Sequence, residues 1–340
     1  MKKIKVVQLG MGHDHADVIN SVHFLSDIFE LAGFAPTPSE EVDFAKRILE
    51  YEQKGIKKLS VDEALAIQDL EAVVIETEEK NLTKYALMAA ERGLHIHMDK
   101  PGGMELCDFK KLISVVKEKK LVFSTGYMYR FNPVISDLFK RIEAGEIGEI
   151  YSVEAHMNCE HIIEKREWLA QFPGGMMFYL GCHLVDLVYS LLGEPEEVIA
   201  LNAPTGHDGV EADDFGMAVF RYKNGASFVK TCDSEPGGYM RRQLVICGTK
   251  GTYELRPLEA WETEEKRDGR KGLYTEFREL HAELDWFADA PFKRCPLYNR
   301  YDTMMENYAR LIRGEIETKY TPDYELNLYK LVLKACGSLK

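Results

Sequence analysis

Two stretches carry the residues best suited to chemistry. The first is Gly10-Met11-Gly12-His13-Asp14-His15-Ala16, directly after a short apolar run. A glycine pair between a strand and a helix permits a tight turn at Gly10. At Gly12 it lets the backbone approach a pyrophosphate, whose charge a helix N-terminus stabilises. The third glycine of the usual fingerprint is His15 here. A plain strand–helix turn uses the same residues, but a position at residue 10, strand before and helix after, favours a dinucleotide. The second stretch is Leu94–Met98 followed by Asp99-Lys100-Pro101-Gly102-Gly103. A charged pair stopped by proline at a strand's C-terminal end points into the crevice where open α/β sheets bind ligands. Without its neighbours, Lys100 reads more readily as a surface lysine at a strand end.

His13, Asp14 and His15 are unusual in a phosphate turn. No carboxylate or cysteine cluster of known spacing accompanies them, so no metal is expected. The reading adopted is that His13 and Asp14 cap the following helix and shape the cofactor entrance. The acid that binds an adenosine ribose belongs at the end of the second strand. That strand ends Ala35-Pro36-Thr37, with neither acid nor arginine at its tip. The choice between NAD and NADP therefore stays open, with Thr37 and Ser39 available for weak bonds.

The elements that must hold these residues follow from the apolar pattern. Strands are expected at 3–9, 29–35, 71–77, 94–98 and 121–125, with helices at 13–27, 39–52, 80–92 and 105–119. Strands alternating with helices of this length make βαβ units on a parallel sheet. After about residue 124 the pattern changes. Helices are expected at 133–144 and 175–192, and strands at 150–157, 197–203, 215–222, 227–232, 244–247 and 252–255. Strands in succession imply a largely antiparallel sheet. Residues 259–283 are highly charged and weakly periodic, which reads as a surface excursion. Helices at 300–313 and 322–335 close the chain. The fold class is thus an α/β Rossmann domain (1–124) followed by an α+β domain (125–340) with a large, mainly antiparallel open sheet. The closing helices are free to pack back on the first domain.

The 340 residues suffice for two ordinary domains, each with its own core. With 56 acidic residues against 43 basic ones the net charge is −13, which argues against nucleic acid or an anionic membrane as partner. The 7 cysteines are scattered with no CxxC, so reduced thiols are expected rather than a zinc ribbon or redox dithiol. The apolar run after Lys2-Lys3 is too short for a signal peptide and no apolar stretch spans a bilayer, so a cytoplasmic protein is expected.

Three segments, with the glycine turn in front, resemble the Gfo/Idh/MocA family (glucose–fructose oxidoreductase, inositol dehydrogenase and relatives). Asp99-Lys100-Pro101 resembles the family's Glu-Lys-Pro. Arg130 and Pro133 match its Arg-Phe-x-Pro segment. His183, in Gly174-Gly175-Met176-Met177-Phe178-Tyr179-Leu180-Gly181-Cys182-His183, matches the histidine of its second-domain helix. The resemblance covers nearly the whole chain. It implies that Lys100 sits beside the nicotinamide and bonds the reacting oxygen, and that His183 moves the hydroxyl proton. It further implies cofactor contacts from Gly10, Gly12, His13, Asp14, His15, Thr77, Asp99 and Arg130. The family's helix carries Asp four residues before the histidine; Tyr179 stands there and, as an i, i+4 neighbour, is expected to bond substrate or orient His183. Glu76-Thr77-Glu78-Glu79 replaces a Thr-Pro-Asn segment, and Leu82 a histidine.

Hydride transfer needs a nicotinamide and a base for the hydroxyl proton. Histidine suits that task, and a neighbouring ammonium stabilises the developing alkoxide. Tyr127 and Asn132 follow a strand end, and His156, Arg166 and Trp168 lie on or after the strand expected to face the crevice; all five are candidates to bind a polyol or sugar acid. The expected activity is NAD(P)-dependent oxidation or reduction of a hydroxyl on a sugar, cyclitol or sugar acid, in a homodimer or homotetramer. Two rivals remain: glycoside cleavage through transient C3 oxidation, and a non-catalytic sensor of cofactor or ligand.

Overall fold

The nearly unbroken apolar runs of the first third become strands, because a parallel strand is covered on both faces. The computed structural model describes residues 2–281 and 289–339. In it, β1 (Ile4–Leu9), β2 (Phe29–Ala35), β3 (Ala72–Ile75), β4 (His95–Met98) and β5 (Phe123–Thr125) form one parallel sheet in the order β2-β1-β3-β4-β5. The chain runs from β1 outward to β2, then returns to the other side of β1 for β3. The switch point is therefore between β1 and β3, and their carboxyl ends open the crevice. Gly10 follows β1 and Glu76 follows β3.

The sheet belongs to a unit formed by Met1–Met128 and Tyr301–Tyr329. The helix Asp302–Ile312 is tied to it by Ser21, whose hydroxyl donates to Asp302 at 2.7 Å, and by the Tyr308 hydroxyl, which donates to the Val73 carbonyl at 3.4 Å. A buried cluster of Met11, Ala16, Ile19, Phe34, Ile48, Tyr51 and Ile56 packs behind the glycine turn. Tyr51 adds hydrogen bonds of 3.1 Å to the Ala16 carbonyl and to Asp17.

The first helix is shorter than the sequence suggests. It spans Val18–Phe24, and residues 13–17 are turns. The N–H of His13 donates to the Glu76 carbonyl and that of His15 to the His13 ring, so these residues are held by partners other than helix carbonyls. His13 and Asp14 consequently do not cap the helix. Asp17 precedes it without a side-chain cap, and Asp14 is exposed. The segment read as one helix at 39–52 breaks at Phe44 into Glu40–Asp43 and Ala45–Gln53.

The second unit comprises Tyr129–Arg300 and Lys330–Lys340. Its strands are β6 (Ile150–Asn158), β7 (Glu197–Ala200), β8 (Phe215–Tyr222), β9 (Gly225–Cys232), β10 (Gln243–Gly248), β11 (Gly251–Leu255), β12 (Ala260–Arg267), β13 (Arg270–Tyr274), β14 (Glu276–His281) and β15 (Lys293–Arg294). Eight form one sheet, ordered β15-β14-β11-β10-β6-β9-β8-β7, in which only β6 and β9 pair parallel among the described residues. The stretch 259–283 is not a structureless excursion. Its β12 and β13 make a hairpin and its β14 extends the large sheet; residues 282 and 283 lie outside the described residues. Charge on both faces of a hairpin hides the alternation that marks a half-buried strand. No helix among the described residues is long and apolar enough to cross a membrane.

Candidate functional site

In the first unit the tips of β1, β3 and β4 converge. Gly10 has φ +84°, and a Cβ there would lie 2.4 Å from the Thr77 methyl. A Cβ on Gly12 would lie 2.6 Å from a Glu40 oxygen and 2.7 Å from Glu78. Only glycine permits this approach of the β1 and β3 tips. Arg47 donates to the carbonyls of Met11 (2.6 Å) and His13 (3.0 Å), and Gln8 to those of Gly10 (3.1 Å) and Ala16 (3.2 Å), which fixes the path of the turn.

Glu40 is wholly buried, and its two oxygens accept the N–H groups of Gly12 (2.8 Å) and Thr37 (2.7 Å). The strand tip itself carries no acid, yet the fold returns one to that place from the next helical turn. Burial pushes the Glu40 carboxyl up, against the pull of those N–H donors.

Beside it, His13 donates Nε2–H to the Lys100 carbonyl at 3.1 Å and accepts the His15 N–H on Nδ1 at 3.1 Å. His15 Nδ1 lies 3.2 Å from both Asp99 oxygens, and Asp99 Oδ1 also accepts the Lys100 N–H at 2.6 Å. Burial lowers His13 to about 3, so its ring is neutral at physiological pH. Of the facing acids, Asp99 holds the charge: burial alone would raise it, but the His15 hydrogen bond and the Lys100 ammonium outweigh burial. Glu76 is pushed well above the carboxylate range by burial and then by the Asp99 charge. The Lys100 residue is only 1% exposed. The structure thus gathers Gly10, Gly12, His13, His15, Thr77, Asp99 and Lys100, leaves Asp14 outside, and adds Glu40, Glu76 and Arg47. Tyr127, also in this unit, is buried.

In the second unit His183 stands at the start of the helix Cys182–Leu192, directly after a π-helical turn, Met177–Gly181. The segment is therefore not one α-helix from residue 175. Gly174 and Gly175 have positive φ, and Met176 N–H bonds the Asp213 carbonyl. A π turn widens the spacing, so Tyr179 and His183 are not the stacked i, i+4 pair of an α-helix; such turns recur at functional sites. Tyr179 instead meets Trp168 edge to face at 5.4 Å, with the Lys165 ammonium over both rings. His183 is buried, edge to face with Tyr129 at 5.3 Å.

Three expected ligand-binding side chains are committed within this unit. Arg130 forks onto Asp186 at 2.6–3.0 Å, anchoring the His183 helix three residues after the histidine. Asn132 caps the helix Pro133–Glu143 through Val134 and Ile135 N–H and donates to Thr275 and Tyr298. Arg166 binds Asp214, Asp208 and the His207 carbonyl. Buried charges and amides need such partners, and apart from the local Asn132 cap these lie too far along the chain for spacing to show. His156 is half-buried on β6, with both ring nitrogens enclosed.

The model of an oxidoreductase family with an NAD-binding Rossmann fold matches residues 4–127, and that of the Gfo/Idh/MocA C-terminal domain matches residues 135–254. The chain belongs to the Gfo/Idh/MocA family. It is 29% identical over 204 residues to the oxidoreductase YhhX of Escherichia coli (60% of this chain, 58% of that one). It is 28% identical over 212 residues to the scyllo-inositol 2-dehydrogenase (NAD(+)) of Bacillus subtilis (60% of this chain, 61% of that one). The match thus spans about three-fifths of the length of these relatives. The fold is also that of the WlbA dehydrogenase from Bordetella pertussis, solved in complex with NADH and UDP-GlcNAcA (TM-score 0.76, 21% identity, covering 99% of this chain and 96% of that one).

The family implies a nicotinamide dinucleotide, and its adenosine end fits this Gfo/Idh/MocA chain. A cavity of about 470 Å³ opens at the β2 tip between Pro36, Pro38, Val61, Tyr85 and Met88, apolar walls suited to a purine. Glu41 and Asp62 also line it, while Glu40, next to Glu41 in sequence, is wholly buried and holds the glycine turn to the strand tip. The phosphate end is loaded with carboxylates, since Glu40, Glu76 and Glu78 surround the glycine turn.

Proposed function

We propose that the protein is a nicotinamide-dependent oxidoreductase that interconverts a hydroxyl and a keto group on a sugar, cyclitol or sugar acid. The observation that carries this is Lys100, an almost fully buried lysine at the carboxyl end of β4 in a Rossmann unit, where such sheets bind ligands. A lysine is almost never fully buried unless it is paired. The similarity to a scyllo-inositol dehydrogenase supports the substrate class.

The bound nicotinamide gives or takes the hydride. Lys100 bonds the reacting oxygen and stabilises its alkoxide character, with its backbone held by Asp99 and His13. His183 takes or returns the hydroxyl proton. Tyr179 shapes the substrate side as part of the Trp168–Lys165 stack. Glu40 favours NAD, because its carboxylate opposes a 2′-phosphate.

The test is nicotinamide absorbance with NAD⁺ and NADP⁺ against a panel of inositols, aldoses and uronic acids, beside calorimetric titration of both cofactors. Turnover that disappears in Lys100→Met is the expected result. Absence of cofactor binding by the intact chain overturns the proposal. Glycoside cleavage without net absorbance change replaces it with the transient-oxidation reaction.

A further inference from the structure

We propose that His13, His15, Glu76 and Asp99 form a binding site for one divalent transition-metal ion of the manganese, iron and zinc class. The inference is independent of the dehydrogenase reading.

The four side chains come from three places: the glycine turn, the residue after β3 and the residue after β4. All are buried, at 0%, 7%, 0% and 1% exposure respectively. Asp99 Oδ2 lies 3.2 Å from His15 Nδ1 and 3.3 Å from His13 Nδ1, and Glu76 Oε2 lies 4.0 Å from His13 Nδ1. Ligands about 2.0–2.2 Å from one ion are separated by roughly 3–3.6 Å, so the Asp99–His13 and Asp99–His15 spacings already match, and Glu76 would join from the His13 side.

Hydrogen bonding points the same way. Because His13 donates Nε2–H to the Lys100 carbonyl, Nδ1 carries a lone pair and no proton. That lone pair receives the His15 N–H and also faces the Asp99 carboxylate. A metal ion between Nδ1 and the Asp99 oxygen 3.3 Å away would take the place of the His15 N–H on that lone pair. An outer nitrogen fixed on a backbone carbonyl is the usual support of a metal-bound imidazole.

Glu76 supplies the second, independent observation. It is fully buried, and its carboxyl is set against that of Asp99. Two carboxyl groups facing each other in a buried site cannot both ionise unless a cation lies between them. Two imidazoles with two carboxylates and no thiolate suit borderline first-row ions rather than calcium, magnesium or copper(I). Such an ion would tie the glycine turn to the tips of β3 and β4. It would also neutralise two acids beside the turn that faces a pyrophosphate.

The experiment uses the full chain, stripped with EDTA and gel filtered. Manganese(II), zinc(II) and cobalt(II) are then added singly, with metal counted by mass spectrometry and Tm followed. One ion per chain and a rise in Tm of several degrees are expected. Glu76→Gln and His15→Asn should each weaken binding at least tenfold, while Cys159→Ser, which removes the separate Cys159–His161–Asp233 cluster, should not. Should either ligand variant fold poorly, the cobalt(II) spectrum of the unaltered chain decides. Visible d–d bands without thiolate charge transfer support the site. Thiolate charge transfer, loss of the ion in Cys159→Ser alone, or no bound ion overturns it. None of these readouts depends on nicotinamide turnover, so this proposal and the functional one fail separately.

Discussion

Glu40 and Gly12 are 28 residues apart, and a carboxylate oxygen of the first accepts the backbone N–H of the second at 2.8 Å. The other oxygen takes the Thr37 N–H at 2.7 Å, so one buried side chain holds the glycine turn to the tip of β2. Glu40→Ala leaves both donors without their acceptor. At about 1–2 kcal/mol for each, the variant should lose roughly 2–4 kcal/mol in urea denaturation. Glu40→Gln keeps one acceptor and should lose about half as much. It should also narrow the preference for NAD⁺ over NADP⁺ in calorimetric titration, since the charge opposing a 2′-phosphate is gone. An unchanged ratio would remove Glu40 from cofactor selection.

Arg130 and Asp186 form a fully buried ion pair with fork geometry in the second unit. Removing one member strands the other, which typically costs about 3–5 kcal/mol. Arg130→Met and Asp186→Leu should each destabilise by that amount, and the double variant should be more stable than either single one. Arg130→Met should bind NAD⁺ with unaltered affinity, because its guanidinium serves Asp186. A large loss of affinity in a folded variant would return Arg130 to the cofactor site.

How far the sequence reveals this architecture depends on the range of the forces involved. β2 and β8 were expected at 29–35 and 215–222, the bounds they have, because apolar runs and turn residues mark them locally. The start of the first helix was not visible. The turn at residues 13–17 is pinned at its first residue, His13, by the carbonyl of Glu76, 63 positions away, and no local propensity records that. Glu40 lies past the strand tip in sequence and reaches back to it only because the chain doubles back over the next helical turn. Asn132 and Arg166 were read as substrate ligands from their polarity and their places after a strand end and after the strand expected to face the crevice. Their partners, Thr275, Tyr298, Asp208 and Asp214, become neighbours only after folding. The π turn before His183 has no period of its own to read.

His97 on β4 is wholly buried, and burial lowers its pKa to about 4. The unfolded chain takes up this proton near pH 6.5. The unfolded state thus binds more protons between these values, and stability falls as pH falls. The stability gained from a neutral His97 is present above about pH 6.5 and is lost on acidification to about pH 4, on the order of 3 kcal/mol. His97→Leu should remove up to one proton from the pH dependence of unfolding in this window, measured by urea melts at half-unit steps. A slope equal to that of the unaltered protein would show that His97 is not buried neutral.

Lys100 and His183 differ in what their loss should do. A group that bonds the reacting oxygen acts on the transition state, so Lys100→Met should lower kcat by about 10²–10⁴-fold and leave NAD⁺ affinity within a few-fold. A proton-moving group imposes its own ionisation on the rate. His183→Asn should therefore lower kcat by a similar factor and also abolish the acid limb of the kcat/KM profile in the oxidation direction. A purely structural role for His183, packed against Tyr129, would lower stability and leave that limb in place. Urea melts of both variants beside their pH–rate profiles separate the two cases. An acid limb that survives in folded His183→Asn assigns the proton to another residue.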